Sequence, residues 1–459
     1  MATRAGAMML AAGAALLAQE ATPPGALTLA QAVEAALRNY PSIRISQEQI
    51  NAASAGMQLA RTAYLPRVDL LAQANRATRN NVFGLLLPQS TIPSMSGPVL
   101  GTNNLGTVWG SAVGTLVTWE PFDFGLRRAS EAAATAARTQ SEAALQRTEF
   151  DVGVATADAF VTLTAAREMV RAAQAGVDRA EVLLRTTGAL VKAELRPGAD
   201  RSRAEAEVAA ARTQVIQAQQ AVEIARANLS RFVGLEPAQI TVSAGKLLEL
   251  PPEHAAPAMN PAAHPASVEQ NAVVEQLRAQ LRILERSYFP RFYLQGSAYA
   301  RGTGAELNGT NLGGLNGLAP STQDYALGFT VTFPVADRPA LRAREAGQAA
   351  SIRAEEARYR QIATDLKARW NVAVATLGGA RNVAANAPVE VSAARAATDQ
   401  AAARYRAGLG NIDEVAEAQR LLTQAEIDEA LARLGIWRGL LGVAAAAGDI
   451  RPFVGEASQ

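Results

Sequence analysis

Four segments of the chain alternate between apolar and polar residues with a period of two. In the clearest of them, residues 291–301, Phe292 and Leu294 fall on one side and Tyr293 and Gln295 on the other. Alternation over about ten residues is typical of a β-strand with one apolar and one polar side. The same pattern predicts three further strands, at 67–77, 112–120 and 326–333.

Aromatic residues concentrate around these strands. More than half of them fall in the windows 64–77, 109–124, 288–301 and 325–333. A sheet over a soluble core would alternate too, but aromatic girdles at both edges of an apolar band are typical of a membrane β-barrel. Four strands are too few to close such a barrel, since the smaller closed ones have about eight. We therefore expect several chains to contribute strands to one barrel in a cyclic oligomer.

Very long helices are predicted after each pair of strands. No proline interrupts residues 126–196, and a helix from 126 to 192 would span about 100 Å. Its predicted partner, within a hairpin that ends at 232, carries an apolar stripe with the seven-residue period of a coiled coil. A second hairpin is predicted over 341–446, where Pro388 predicts a kink or break. The stripe of the first hairpin consists of Val208, Val215, Val222 and Leu229.

The chain contains the same unit twice. The stretch from Tyr40 to Arg67 reappears 224 positions later, and the stretch from Val117 to Gly234 reappears 214 positions later. A duplication of this length fixes the architecture as two copies of a strand pair followed by a helical hairpin. The predicted organisation is a first repeat at 27–234, a linker at 235–264, a second repeat at 265–448 and a C-terminal tail at 449–459.

The N-terminus and the hydropathy indicate an exported protein. Residues 1–20 combine Arg4, an apolar run and small residues, which predicts a secretory signal peptide. No later segment offers about 18 uninterrupted apolar residues, so a membrane-spanning helix is not expected.

Composition and charge argue against several other classes. The net charge is only +2 and the basic residues are dispersed along the chain, so the sequence shows no basic cluster of the kind that binds nucleic acid. The chain has no cysteine for a disulfide or thiolate metal site, and His254 and His264, without paired acids nearby, make a poor metal site. No nucleophile motif or acid pair suggests an enzyme, and we expect no cofactor.

Four segments then follow one another in an informative order. Leu27 to Leu37 begins the first repeat as an N-terminal helix, and Leu65-Pro66-Arg67 enters its first strand. Phe122 to Arg128 forms the strand-to-helix corner, and Tyr405 to Val415 forms a helix tip. In this order, and with the duplication, they resemble the TolC-like outer membrane efflux protein family over about 27–450.

The resemblance implies a mainly α fold with a membrane β-barrel. Three chains would form a homotrimer with twelve strands in one barrel, surrounded by outer-membrane lipid, and twelve helices in a periplasmic tunnel. It implies a periplasmic adaptor (membrane fusion) protein and an inner-membrane pump as partners. The function implied is a passive exit duct for small molecules, metals or proteins, in tripartite efflux or type I secretion, with no catalysis.

Three sets of tip residues follow from the resemblance. Acidic residues near the tip form entrance rings in the family, which points to Glu414, Glu417 and, through the internal repeat, Asp200 as determinants of cation preference. A tyrosine, an arginine and an acid hold the family's closed state. Tyr405 matches the tyrosine, whereas Gly410 stands at the arginine position, so that Arg406 or Arg196 would have to substitute.

The turns of the two hairpins resemble the tips that dock on the adaptor. The residues concerned are Leu195, Gly198, Gly408, Leu409 and Gly410. The alternative function is an exported periplasmic coiled-coil scaffold or adaptor protein without a pore. It accounts for the helices but not for four aromatic-rich alternating segments beside them.

Overall fold

The computed structural model describes residues 25–78, 106–253, 258–306 and 310–458. The predicted signal peptide and His254 lie outside these ranges. The first repeat comprises a helix and two strands, α2 (Pro41–Thr62), β1 (Arg67–Thr78) and β2 (Thr107–Phe122), and then a hairpin of α3 (Leu126–Lys192) and α4 (Gly198–Val233). The second repeat has α5 (Pro265–Arg286), β3 (Arg291–Thr303), β4 (Thr322–Thr332), α6 (Arg338–Arg406) and α7 (Ile412–Ala447). Two short helices complete the set: α1 (Leu29–Asn39) and α8 (Arg451–Ala457).

Two of the strands begin earlier than the alternation predicts. β2 starts at Thr107 instead of 112, and β4 starts at Thr322 instead of 326. Polar residues begin β4, but Asp324 on it forms an ion pair with Arg301 on β3 at 3.1 Å. Pairing across the ladder therefore extends β4 into polar residues, which a pattern of apolar positions cannot indicate.

The chain divides into two compact units. One contains residues 41–150 and 259–369, and the other contains the described residues before Pro41, those of Asp151–Ala258 and those from Trp370 onward. The first unit holds the sheet, which is antiparallel with the order β1-β2-β3-β4. Within the described ranges, the outer edges of β1 and β4 have no strand partner.

The two faces of the sheet differ in polarity. The register aligns Val68 with Val117 and Leu294 with Phe329, so most of the large apolar residues of the four strands share one face. That face is open: Leu70 is 82% and Leu327 77% exposed. On the other face Gln295 and Ser297 are buried. A large open apolar face is unusual for a soluble monomer and indicates a surface that another phase or chain covers.

The predicted coiled-coil stripe forms the core between helices of the other unit. Val208, Val215, Val222 and Leu229 are all buried. The second copy keeps a similar stripe on α7, from Leu422 to Val443, but has Gly439 in it. A Cβ at that glycine would lie 3.0 Å from Leu377 Cα, so the backbones of α6 and α7 approach too closely for alanine.

Of the predicted kink or break at Pro388, the break does not occur. The helix runs without interruption from Arg338 to Arg406, with the proline inside it and exposed. Ala384, Ala387 and Val391 beside it are buried against neighbouring helices. Their packing holds the helix where the proline removes one hydrogen bond.

Among the described helices, α7 is long and apolar enough to cross a membrane by length and composition. Its apolar side chains, such as Leu434 and Trp437, are buried within its own unit, as in the core helix of a soluble protein.

The predicted linker is partly ordered. Ile240, Val242 and Leu247 are buried, and Val242 forms a parallel bridge with Leu27. His264 caps α5, because its Nδ1 accepts a hydrogen bond from the Ala266 amide at 3.1 Å. This histidine therefore has a structural contact of its own, and the described residues contain no group of acids and histidines that could hold a metal.

Candidate gating and docking site at the helix tips

Each helical hairpin ends in a short exposed turn. The first joins α3 to α4 through residues 193–197, and the second joins α6 to α7 through residues 407–411. The Leu195 amide donates to the Leu190 carbonyl at 2.9 Å, and the Leu409 amide donates to the Arg404 carbonyl at the same distance. Leu195 and Leu409 are each 70% exposed. The duplicated turns therefore present matching apolar side chains outward.

The left-handed position in each turn is filled differently. Gly408 takes it in the second turn with φ of 78°, whereas Glu194 takes it in the first with φ of 59°. Glycine adopts this region without steric cost, and other residues do so at a cost of about 1 kcal/mol or more. The first turn is thus the more strained of the two.

Tyr405 links the two hairpins. It is 1% exposed, and its hydroxyl donates to Asp200 Oδ2 on α4 at 2.9 Å. Its ring packs with Leu183 on α3 and with Ile412 and Val415 on α7. One side chain from the second hairpin is therefore enclosed by residues of both hairpins.

Arg196 completes this contact from the first turn. Its guanidinium lies 4.3 Å above the Tyr405 ring and donates to the carbonyls of Tyr405 at 2.5 Å and Gly410 at 3.1 Å. Arginine over an aromatic face combines electrostatic attraction with stacking. The cation that contacts Tyr405 thus comes from Arg196, which is the repeat equivalent of Gly410.

Arg406, the other candidate for this role, lies on the exposed side of α6. No hydrogen bond or ion pair joins it to another residue in the described part of the chain, so it takes no part in the contact around Tyr405. The lack of a side chain at Gly410 also has a local reason. A Cβ there would lie 3.1 Å from Glu414 Oε2 and 3.4 Å from Arg404 Cβ.

The environment of Tyr405 favours its protonated form. Burial raises the pKa of the Tyr405 hydroxyl above its ordinary value, and the hydrogen bond to the Asp200 carboxylate raises it further. The hydrogen bond with Thr187, which is second in effect to burial, and the charge of Arg196 act in the opposite direction without cancelling the increase. The tyrosine therefore remains a hydrogen-bond donor at neutral pH.

The three acids predicted for an entrance ring do not form one cluster within the chain. Asp200 accepts the tyrosine hydroxyl, whereas Glu414 lies 3.8 Å from Arg404 and Glu417 lies 2.6 Å from Arg420. Both glutamates are exposed. Asp200 is thus the acid that accepts from the Tyr405 hydroxyl, a contact that the sequence did not predict.

The ion pairs of the tip were not predicted from the sequence. Arg203 pairs with Asp413 at 3.2 Å and so joins α4 to α7, and Arg404 and Arg420 offset the two glutamates. The repeat aligns Arg203 with Glu417, which has the opposite charge, but it does not indicate the pairing with Asp413. No feature of the sequence singles out Thr187, which the fold brings beside the tyrosine hydroxyl.

Comparisons with known proteins agree with this architecture. The family model for outer membrane efflux proteins matches two segments, residues 32–235 and 262–449. No curated protein sequence matches the chain.

Solved structures share the fold over nearly the whole chain. The CmeC outer membrane channel of Campylobacter jejuni has a TM-score of 0.75 at 16% identity, over 94% of this chain and 89% of that one. The outer-membrane channel OprN has a TM-score of 0.71 at 22% identity, over 92% of this chain and 89% of that one. The open state of the Neisseria gonorrhoeae MtrE outer membrane channel has a TM-score of 0.72 at 20% identity, over 92% of this chain and 89% of that one. Together with the family match over most of its length, these observations establish that the chain belongs to the outer membrane efflux protein family and is an outer-membrane channel protein.

Proposed function

We propose that three copies of the chain close one twelve-stranded barrel and continue it as a helical duct through the periplasm. The observation that carries the proposal is the sheet, which has four strands, two unpaired outer edges and an exposed apolar face. Pairing β4 of one copy with β1 of the next would satisfy both edges. Lipid would then cover the apolar face, as in other membrane barrels.

The duct serves as the exit of a tripartite efflux or type I secretion system. Its adaptor protein docks at the hairpin tips, where the matching exposed side chains of Leu195 and Leu409 support a repeated apolar contact with Gly198, Gly408 and Gly410 close by. An inner-membrane pump supplies the cargo and the energy, so the duct itself performs no catalysis.

The tip controls passage. Tyr405, Asp200 and Arg196 form the latch, because they hold the second hairpin against the first in a closed arrangement. Opening requires α6 and α7 to move away from α3 and α4, which breaks the contacts of Arg196 and the hydrogen bond of Tyr405. Glu414 and Glu417, tripled by symmetry, give the entrance a preference for cations.

The alternative, an exported coiled-coil scaffold without a pore, gives the exposed apolar sheet no role. Membrane fractionation and planar-bilayer recording distinguish the two. A channel stays with the outer membrane, runs as a trimer after mild detergent extraction and conducts ions. A protein that is released with the soluble periplasmic fraction and forms no pores would contradict the proposal.

A further inference from the structure

Aromatic side chains form a continuous belt at one end of the sheet, where β2 ends and β3 begins. Phe124 lies 5.4 Å from Phe289 and 6.0 Å from Phe292, and Phe292 lies 6.0 Å from Phe329, measured between ring centroids. Tyr288 extends the belt toward Phe333 at 5.8 Å. Aromatic rings of this kind are typical of the boundary between hydrocarbon and lipid headgroups.

Four exposed arginines lie immediately beyond this belt. α5 ends in Arg282 and Arg286, and α6 begins with Arg338 and Arg342, so each helix carries a pair spaced by four residues on one face. Arg286 lies 5.8 Å from the centre of the Phe289 ring, and Arg338 lies 4.4 Å from that of Tyr288.

The packing of α5 against α6 brings the two pairs to one level. Gln348 on α6 donates to the Leu277 carbonyl on α5, and Gln270 donates to the Glu355 carbonyl. Continuing this antiparallel register places Arg286 opposite about residue 339 and Arg282 opposite about residue 343. Two neighbouring helices therefore carry two arginines each at the same height below the belt.

The charges of these arginines are not matched within the chain. None of the four forms an ion pair with a carboxylate among the described residues, although Glu285, Asp337 and Glu345 lie nearby in sequence. By contrast, Arg278 on α5 contacts Glu275 and Glu356, and Arg358 on α6 contacts Glu355. Unpaired guanidinium groups beside an apolar belt are suited to phosphate, which they bind by paired hydrogen bonds.

We propose that Arg282, Arg286, Arg338 and Arg342 bind the phosphate groups of anionic phospholipids in the leaflet that faces the helices. This inference rests on the proposed barrel, since that places the belt at the membrane boundary. The site would fix the height of the barrel in the membrane and give the protein a preference for anionic over zwitterionic lipid. Charge complementarity and the adjoining aromatic belt together select a lipid headgroup as the occupant.

The test measures lipid retention by native mass spectrometry. The purified trimer is titrated with phosphatidylglycerol or phosphatidylcholine in a neutral detergent. The variant R282Q with R342Q removes two charges that stack on no aromatic ring. Its control, R360Q with R369Q, changes the same residue type on α6, about 33 Å or more beyond Arg338, where neither arginine has an ion pair either.

We expect the wild type to prefer phosphatidylglycerol. Each arginine near an anionic lipid surface adds about fivefold to affinity, so the double variant should lose on the order of 25-fold and the control should lose almost nothing. Equal retention by the variant and the wild type, or an equal loss in the control, would overturn the inference.

Two further measurements test the inference even if the glutamine variant assembles poorly. Replacing the same arginines by lysine keeps the charge and should keep most of the preference, whereas a loss equal to that of glutamine would contradict a phosphate site. In the wild type, raising NaCl from about 0.05 to 0.5 M should weaken retention of phosphatidylglycerol but not of phosphatidylcholine. No salt dependence would overturn the inference. Failure of the proposed channel would appear separately, as a wild-type protein that neither trimerises nor conducts.

Discussion

The two hairpins share one backbone plan but carry different halves of a single contact. Positions 214 apart correspond, so Leu195 matches Leu409, and both are exposed to the same degree. The positions around them have diverged: Arg196 corresponds to Gly410 and Val191 to Tyr405. The first hairpin supplies the cation and the acid, and the second supplies the tyrosine. Duplication followed by divergence has thus turned two equal tips into complementary partners.

The largest expected effect comes from removing the cation of the first hairpin. Arg196→Ala deletes two charge-assisted hydrogen bonds and the contact with the Tyr405 ring, which together stabilise the closed tip by about 2 kcal/mol at a half-buried site. We expect the opening equilibrium in planar bilayers to shift about 30-fold.

Arg201→Ala is the matched control, since Arg201 lies five residues later, on α4, and contacts Glu205 of the same helix at 3.0 Å. It should leave conductance unchanged. Equal opening in both variants would mean that Arg196 does not hold the tip.

Removing the hydroxyl of the second hairpin should have a smaller effect. Tyr405→Phe keeps the ring beneath Arg196 and deletes only the hydrogen bond to the half-buried Asp200, which stabilises by about 1 kcal/mol. Opening should increase about fivefold. Tyr359→Phe, on α6 but away from the tip, serves as the control, and an effect of the same size there would contradict the assignment.

The repeat and the strand pattern allowed the element order and the coiled-coil seam to be predicted, because both depend on regular spacing. The latch was only partly predictable. Tyr405 was recognised from its motif, and Arg196 was one of two candidates because the repeat aligns it with Gly410. The partnership of Asp200 with Tyr405 depends on how α4 lies against the end of α6, which no spacing along one chain encodes.

The limits of pattern reasoning also appear at the sheet and at Pro388. Thr322 and Gln323 belong to β4 only because β3 pairs with them. Pro388 stays helical because buried neighbours on both sides hold α6 in place. In each case a tertiary contact outweighs the local preference.

The matching leucines test whether the tips remain equivalent in docking. Leu195→Ala and Leu409→Ala should each change unfolding free energy by less than about 0.5 kcal/mol, because both side chains are exposed. If both tips dock, each change should weaken binding of the adaptor about two- to fivefold in surface plasmon resonance. An effect confined to one hairpin would show that docking has diverged too, and no effect in either would remove the leucines from the docking surface.

The acids of the second tip have a smaller expected effect. Glu414→Ala with Glu417→Ala should lower cation selectivity about twofold and weaken block by multivalent cations, because Arg404 and Arg420 already offset part of their charge. Arg404→Gln with Arg420→Gln should change selectivity in the opposite direction. Reversal potentials in planar bilayers measure both, and unchanged values would exclude these residues from the entrance.

The smallest effect is expected from pH. Because the pKa of Tyr405 is raised in the folded protein, the stability that its protonated form contributes is complete below the ordinary tyrosine pKa of about 10. It is lost only as pH rises through the higher folded-state value. The part of the channel's opening equilibrium that depends on Tyr405 should therefore stay constant from pH 6 to 9, and opening should increase above about pH 10. A difference titration of the wild type against Tyr405→Phe near 295 nm would reveal a tyrosine that ionises in the ordinary range, if this assignment is wrong.

A double-mutant cycle between Tyr405→Phe and Asp200→Ala tests the complementarity of the two hairpins most directly. The opening equilibrium of the wild type, the two single variants and the double variant is measured in planar bilayers. If the hydroxyl of one hairpin is held by the carboxylate of the other, the combined effect should fall short of the sum of the single effects by about 1 kcal/mol, or fivefold in the equilibrium. Additivity within about 0.3–0.5 kcal/mol would contradict the account.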